Sequence, residues 1–315
     1  MKTEHTLLGQ APEFENIQRT AKIMAATDVT VLIQGESGTG KELMAKYIHA
    51  TSPRQSQNMV TINCAALPES LAESELFGHK KGAFTGAVHD QQGRIQAANN
   101  GTLFLDEVGE LPLNIQAKLL RFLENGECQT VGAQQADKVN VRVIAATNRD
   151  LFKEVKRGHF REDLFYRLNV VPLAMPALRE RASDIALLIN HLSAQLANKH
   201  CLDVPRFSVT AIEQCQRYSW PGNIRELKNF CERMVILLSG QTVNIENLPF
   251  EIKGNNASTL SDLFTLPESG IVLEQVEAQL IHQAIDKSQG NQSKAARLLG
   301  LTRSALLYRL NKYSQ

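Results

Sequence analysis

The chain has almost no charge imbalance. Over 315 residues, 34 Lys and Arg stand against 33 Asp and Glu, a formal net charge of +1. No global field therefore marks it as a binder of nucleic acid or of a membrane surface, and any such patch must be local. Long apolar runs are missing too: nothing in the sequence approaches the roughly 20 consecutive apolar residues that cross a bilayer. The opening residues, Met-Lys-Thr-Glu-His-Thr, are too polar for a secretory signal. Cysteine is sparse and scattered, at Cys64, Cys128, Cys201, Cys215 and Cys231, with no pair at zinc-site spacing. The reading is a soluble, cytoplasmic protein without a membrane partner, its thiols reduced and buried. What is present is ordinary globular material, 43% hydrophobic and 21% charged, enough for cores in two or three domains at roughly 150 residues each.

The first half alternates two kinds of pattern. Residues 29–34, 58–63, 101–106, 139–146 and 168–173 are short, continuous apolar or β-branched runs. Continuous rather than alternating runs suit strands buried on both faces of a parallel sheet. Helical patterns lie between them, such as 115–124, so the fold class is α/β with helices flanking a parallel sheet. After residue 173 the strand signals stop and helices are expected at 184–199, 210–218 and 223–238, with Thr210 and Asn223 as N-caps. The division is 1–173 for the α/β part, 174–252 for a helical subdomain, 253–270 for a polar Gly/Ser/Asn linker, and 271–315 for a further helical domain. From residue 291 onward there are five basic side chains (Lys294, Arg297, Arg303, Arg309 and Lys312) and no acid, so the charge is concentrated at this end.

Gly35-Glu36-Ser37-Gly38-Thr39-Gly40-Lys41 fits G-x-x-x-x-G-K directly after a strand and before a helix. In that context backbone N–H groups wrap phosphate oxygens, the helix points its positive end at them, and Lys41 reaches the β- and γ-phosphates. Glu42 stands where Ser or Thr usually ligates Mg²⁺, so the metal depends on other oxygens. The run 103–107 ends in two carboxylates: Asp106 is placed to hold Mg²⁺ and Glu107 to polarise an attacking water. Thr147 and Asn148 close the next strand, at the edge where ligands bind open α/β sheets; in isolation a simple turn, with Asn148 capping the next helix, is the better reading. Arg161 and Arg167 read by default as a solvated basic face. In an oligomeric ATPase such arginines instead reach a neighbour's γ-phosphate. Gly82-Ala83-Phe84-Thr85-Gly86-Ala87 is, physically, an exposed loop with an apolar, hydroxyl-bearing tip.

That hexapeptide also matches, letter for letter, the GAFTGA signature of bacterial enhancer-binding proteins, the AAA+ activators of the sigma-54 form of RNA polymerase. The chain resembles this family over nearly its whole length: GESGTGKE at 35–42, NCAAL at 63–67, ESELFGH at 73–79, GTLFLDE at 101–107, LRER at 178–181 and WPGNIRELKN at 220–229. Glu42 is typical of the family. The resemblance implies an AAA+ P-loop NTPase with an α-helical lid. It also implies roles: Asn63 as the partner restraining Glu107, Thr147 and Asn148 as first sensor, Arg161 and Arg167 as arginine fingers, Arg225 as second sensor, and the 130–139 segment as support for the 82–87 loop, which contacts sigma-54. The C-terminus resembles a Fis-type helix-turn-helix. There Asn291 starts one helix, Gly300 supplies the turn and Thr302 caps the next; Ala295, Ala296, Leu299, Leu306, Leu307 and Leu310 pack inward. Thr302, Arg303, Ser304, Tyr308, Arg309 and Lys312 are left for DNA. The implied activity is ATP hydrolysis, with ATP and Mg²⁺ as cofactors, coupled to remodelling of sigma-54 holoenzyme from enhancer DNA by a homo-oligomeric ring, usually a hexamer, with a dimer as the inactive form. Two-component regulation is compatible with the family, whose members commonly carry an N-terminal receiver or sensor. Here the ATPase pattern begins near Leu7, and natural absence and truncation both stay open. The rival readings are an AAA+ motor acting directly on DNA and a DNA-binding regulator without catalysis.

Overall fold

The computed structural model describes residues 7–84, 86–253 and 272–313. It divides into two compact units, 1–254 and 255–315. The expected linker therefore lies outside the described residues except for Lys253, which ends the short helix Phe250–Lys253. Thr85 and residue 271 also lie outside them, as does the side chain of Lys312.

The first unit is built on five parallel strands: β1 (Val31–Gln34), β2 (Met59–Asn63), β3 (Thr102–Asp106), β4 (Arg142–Thr147) and β5 (Val171–Ala174), in the spatial order β2-β3-β4-β1-β5. All five are the runs expected from sequence, trimmed at their starts. The runs 139–146 and 168–173 each lose three residues; in the latter, residue 168 closes the helix Glu162–Leu168, where Leu168 is buried as a helical residue. The central strands β3 and β4 are buried along nearly their whole length. That explains the continuous apolar spelling, since each fully buried Leu, Ile or Phe contributes about 1.5–3 kcal/mol of transfer free energy. One core, with Leu103, Leu105, Val143 and Ala145, lies on one sheet face; Phe104, Ile144 and Ala146 belong to a core on the other. Arg142 is the buried charge among them. Its buried guanidinium donates to Ala25 O (3.0 Å) and Met24 O (2.9 Å), the last carbonyls of helix α1 (Pro12–Ala25).

Helix α2 (Lys41–Ala50) follows β1, and α3 (Glu69–Phe77) follows β2. Helix α4 (Leu113–Asn125) follows β3; it buries Ile115, Leu119 and Phe122 on one stripe and stops at Gly126 in the left-handed region. Helices α5 (Leu151–Lys156) and α6 (Glu162–Leu168) lead into β5. The lid consists of α7 (Ile185–His200), α8 (Val209–Arg217) and α9 (Asn223–Leu237) around its own core, with Trp220, Leu227 and Phe230 at the centre. Two cap expectations are corrected. The N-cap of α8 is Ser208, whose Oγ accepts from Ala211 N–H; Thr210 lies inside the helix. Asn223 does not cap α9. It sits at the first helical position with φ 51°, its side chain directed elsewhere.

Four of the five thiols are buried as expected, and burial pushes Cys64, Cys215 and Cys231 up to about 12 and Cys128 up to about 11. Cys201 is the exception and is exposed. Among the described residues no group of three or more His, Cys, Asp or Glu is arranged for a metal, and no helix is long and apolar enough to cross a membrane.

The second unit is a three-helix cluster: α10 (Leu273–Lys287), α11 (Gln292–Leu298) and α12 (Arg303–Tyr313). Asn291 caps α11 through Lys294 N–H, Gly300 turns at φ 67°, and Thr302 Oγ1 accepts from Ala305 N–H at 3.3 Å. Ala295, Ala296 and Leu306 are buried against Ile281 and Ala284, with Leu299 and Leu310 packed alongside. Leu307 is only partly buried and stands outside this cluster.

Candidate functional site

The C-terminal ends of β1, β2, β3 and β4 carry Gln34, Asn63, Asp106 and Thr147 to one edge of the sheet, the edge where open α/β sheets take ligands. The loop from Gly35 to Gly40 leaves β1 there and delivers α2. Gly38 and Gly40 sit at φ 80° and 99°, a region that costs most residues strain. The first bond of α2 is Met44 N–H to Gly40 O. The N–H groups ahead of it point out of the helix end, as an anion site requires. Lys41 is 6% exposed; its ammonium donates to Gly35 O (2.9 Å) and Glu36 O (3.3 Å) and lies 3.7 Å from Glu107 Oε1. Glu42 turns away and pairs with Lys46 at 2.8 Å.

Asp106 and Glu107 stand at the mouth of this loop. Asp106 Oδ1 accepts from Glu107 N–H at 3.1 Å. Burial, then the neighbouring Glu107 charge, pushes the Asp106 carboxyl above its ordinary range, with Lys41 opposing. Glu107 adopts φ 52° and ψ 49°, a left-handed conformation that costs a non-glycine residue on the order of 1 kcal/mol or more and is kept at functional positions. Its Oε2 accepts from Asn148 N–H at 3.1 Å. Two adjacent carboxylates facing one ammonium leave a residual negative charge, which suits a divalent cation at Asp106. Asn63 aligns with Asp106 in register, but its Oδ1 takes Ala65 N–H at 3.0 Å. In this state Glu107 is held by the Asn148 N–H and the Lys41 ammonium, while the Oδ1 of Asn63 serves the turn after β2. Thr147 is fully buried and receives Arg149 N–H on its hydroxyl.

The lid clasps the loop from above. Arg225 donates to Ser37 Oγ at 2.7 Å, and Ile224 N–H to Gly38 O at 2.9 Å. Arg179 makes two bonds to Glu36, at 2.9 and 2.5 Å; with Asn223 they lower the Glu36 carboxyl to about 2. Asn223 Nδ2 donates to Glu36 Oε2 and Ser37 O, while its Oδ1 accepts from Leu178 N–H. The turn that aims it is strained, with Trp220 at φ 47° and Asn223 at φ 51°. Beside the loop lies a cavity of about 390 Å³ lined by Leu8, Phe14, Met175, Leu188, His191 and Ile224 among others. Sequence reasoning missed this cavity, Arg179 and the role of Asn223. The cavity is assembled from four separated segments with no spacing of their own, whereas Arg179 and Asn223 sat unread inside the LRER and WPGN strings.

The arginines lie apart from these groups. Arg161, just before α6, forms a forked pair with Asp163 at 3.1 and 2.7 Å. Arg167 donates through Nε and Nη2 to Leu123 O at 3.1 and 2.8 Å. Both are exposed. The loop 82–87 is elsewhere again. Its ends meet through Gly82 N–H to Ala87 O (2.9 Å); Phe84 is 40% exposed with its ring edge-on to His79 at 4.9 Å. Lys80 N–H donates to Val131 O, and Gly132 packs against Ala83, so the 130–139 segment buttresses one side. In the second unit Arg303, Ser304 and Tyr308 are exposed, whereas Arg309 pairs with Glu277 at 3.0 Å and so braces α12 against α10.

A parallel sheet in this order, a glycine loop with a buried lysine, a strand-end carboxylate pair and a helical lid over the loop define a P-loop NTPase of the AAA+ type. The chain belongs to the sigma-54 activator family: residues 7–174 match the sigma-54 interaction domain, 179–262 the AAA+ ATPase lid domain, and 272–313 the bacterial regulatory proteins of the Fis family. It is 46% identical over 313 residues to the regulatory protein AtoC of Escherichia coli K12, covering 98% of this chain and 68% of that protein. It is 46% identical over 304 residues to the Nif-specific regulatory protein of Klebsiella pneumoniae, covering 96% of this chain and 58% of the relative. Among solved structures it is similar to NtrX of Brucella abortus in complex with ADP, with a TM-score of 0.74, 34% identity, and coverage of 98% of this chain and 69% of the other.

Proposed function

We propose that the chain hydrolyses ATP and uses the energy to convert the sigma-54 polymerase closed complex into the open one, from enhancer DNA gripped by residues 272–313. The observation that carries this reading is the coexistence, in one unit, of a complete phosphate site and an open loop at 82–87 with no acid, base or metal ligand. Such a loop adds nothing to phosphate chemistry and is suited to a protein contact. Gly35, Glu36, Ser37, Gly38, Thr39 and Gly40 wrap the phosphates with backbone N–H groups, Lys41 neutralises the β- and γ-oxygens, and the cavity beside Phe14 and Ile224 receives the base. Asp106 would hold the Mg²⁺ that accompanies ATP, and that ion would supply neutralisation of the phosphoryl charge. Glu107 takes a proton from the attacking water; the Asn148 amide orients it. Thr147, Asn148 and Arg225 report nucleotide state to the sheet edge and the lid. Arg161 and Arg167 complete the site of an adjacent subunit in a ring. In the second unit Thr302, Arg303, Ser304 and Tyr308 face the major groove, with Lys312 on backbone phosphate.

Open-complex formation with purified sigma-54 polymerase, enhancer-bearing promoter DNA and ATP tests the reading. Open complexes that require hydrolysable ATP and this chain are expected. Hydrolysis stimulated by DNA alone, with no sigma-54 dependence, would replace the reading with a motor acting directly on DNA.

A further inference from the structure

Helix α4 stands between the carboxylate pair and the arginines. It begins six residues after Glu107, following the turn Val108–Glu110. Arg167 is docked on its last turn, through the two bonds to Leu123 O. On its first turn lies Gln116, fully buried and polar on an otherwise apolar stripe. A buried amide is retained only where its donors and acceptor are satisfied, and this one is. Nε2 donates to Leu111 O at 2.7 Å and to His159 O at 3.1 Å, while Oε1 accepts from Arg161 N–H at 2.8 Å. Leu111 closes the turn that follows Glu107, and Arg161 is the N-cap residue of α6. One side chain therefore ties the exit of the Asp106–Glu107 turn to the backbone of Arg161. A parallel route runs alongside: Arg149, beside Asn148, donates to Gly109 O and Glu110, and approaches Glu154, which accepts from His159.

We infer that Gln116 is a positioning residue that sets the two arginines against the neighbouring subunit's ATP according to the state of its own subunit's Glu107 turn. The inference rests on the shared-site reading above. Gln116 touches no phosphate and no water of the reaction; it fixes where α6 starts. A shift of about 1 Å at a charge-stabilising group costs on the order of 100-fold in rate. A subunit lacking the clamp is thus a poor arginine donor while its own ATP site remains competent.

Mixed rings separate the roles. Gln116→Met keeps the length and removes all three hydrogen bonds; alone it is expected to bind ATP with near-normal affinity and to turn over on the order of 100-fold slower. Mixed with Glu107→Gln subunits, which cannot hydrolyse but donate intact arginines, it is expected to recover activity. Mixed with Arg167→Ala subunits it is expected to stay inactive, since neither partner donates. Recovery with Arg167→Ala instead would place the defect in Gln116's own ATP site and overturn the inference, as would recovery with neither. Gln116→Glu retains the acceptor for Arg161 N–H and should show the same pattern with a smaller loss, which keeps the test open if the Met variant fails to fold; a Glu variant at full activity contradicts the clamp. The control mixture of Glu107→Gln with Arg167→Ala isolates the foundation: no recovery there removes the shared-site reading itself, and this inference with it.

Discussion

At Gly38 a methyl group would meet Gly222 O at 2.4 Å, whereas at Gly82 and Gly86 it would meet nothing within 4 Å. Both loops are short, glycine-bracketed and part of the same unit, and both put glycine at positive φ. In the phosphate loop the lid backbone presses on the chain, so glycine is required for close approach as well as for conformation. In the 82–87 loop only conformation requires it. The first loop is pinned by Arg225, Ile224, Asn223 and Arg179. The second is pinned at its base, by Lys80 to Val131 and by Asp90 to Lys80 and Lys81. The contrast separates a loop built to hold a ligand still from one built to reach out.

Variants that empty the phosphate loop of its chemistry sharpen this contrast most. Lys41→Ala is expected to abolish ATP binding, since it removes the cation aimed at the β- and γ-phosphates. Glu107→Gln should retain binding while turnover falls by about 10²–10⁴-fold, the usual worth of a general base. Equilibrium nucleotide binding and steady-state turnover on both variants check the pair; normal turnover in Glu107→Gln would move the base elsewhere.

Paired glycine substitutions test the steric half. Gly38→Ala collides with Gly222 O and should lower both thermal stability and ATP affinity. Gly86→Ala meets open space, so it carries only the conformational cost of φ 107°, about 1–2 kcal/mol, and should leave ATP affinity unchanged. Melting curves with and without nucleotide distinguish the two; equal losses of affinity would erase the contrast.

The smallest effect is electrostatic. Burial and Glu107 raise the Asp106 carboxyl in the folded state, so the unfolded chain releases that proton at lower pH. The folded state therefore loses stability as pH rises from about 4 through the raised value. Asp106→Asn should raise the melting temperature at pH 7 by about 1–3 °C, and the gain should vanish below pH 4, where Asp106 is protonated in both states. The 82–87 loop bears no carboxylate, so no comparable pH signature is expected from it.

Sequence legibility follows the same divide. β1, β3 and β4 were readable because burial on both faces writes an unbroken apolar run, whereas the edge strands β2 and β5 are only partly buried and were readable from their β-branched residues; the convergence of Lys41, Asp106 and Glu107 was readable because each follows the end of a parallel strand. The start of β5 was read too early because Leu168 is apolar for a helical reason. Hidden were features with no local spelling: the left-handed backbone of Glu107, the Asn223 clasp, the cavity beside Phe14 and Ile224 and the buried Gln116 hydrogen bonds, each decided by contacts 40 or more residues away or by a single polar letter in an apolar stripe. Asn63 shows the opposite limit: its place beside Asp106 was legible, but the bond its Oδ1 accepts from Ala65 N–H belongs to the turn and was not.

The most direct test of the account is a single variant at the tip of the outer loop. Phe84 is half-exposed and contacts His79, not the phosphate site. Turnover of ATP and yield of open promoter complex are to be measured on one preparation of Phe84→Ala. The account predicts wild-type turnover and loss of open complex; a variant that still opens promoters at the wild-type rate would contradict it.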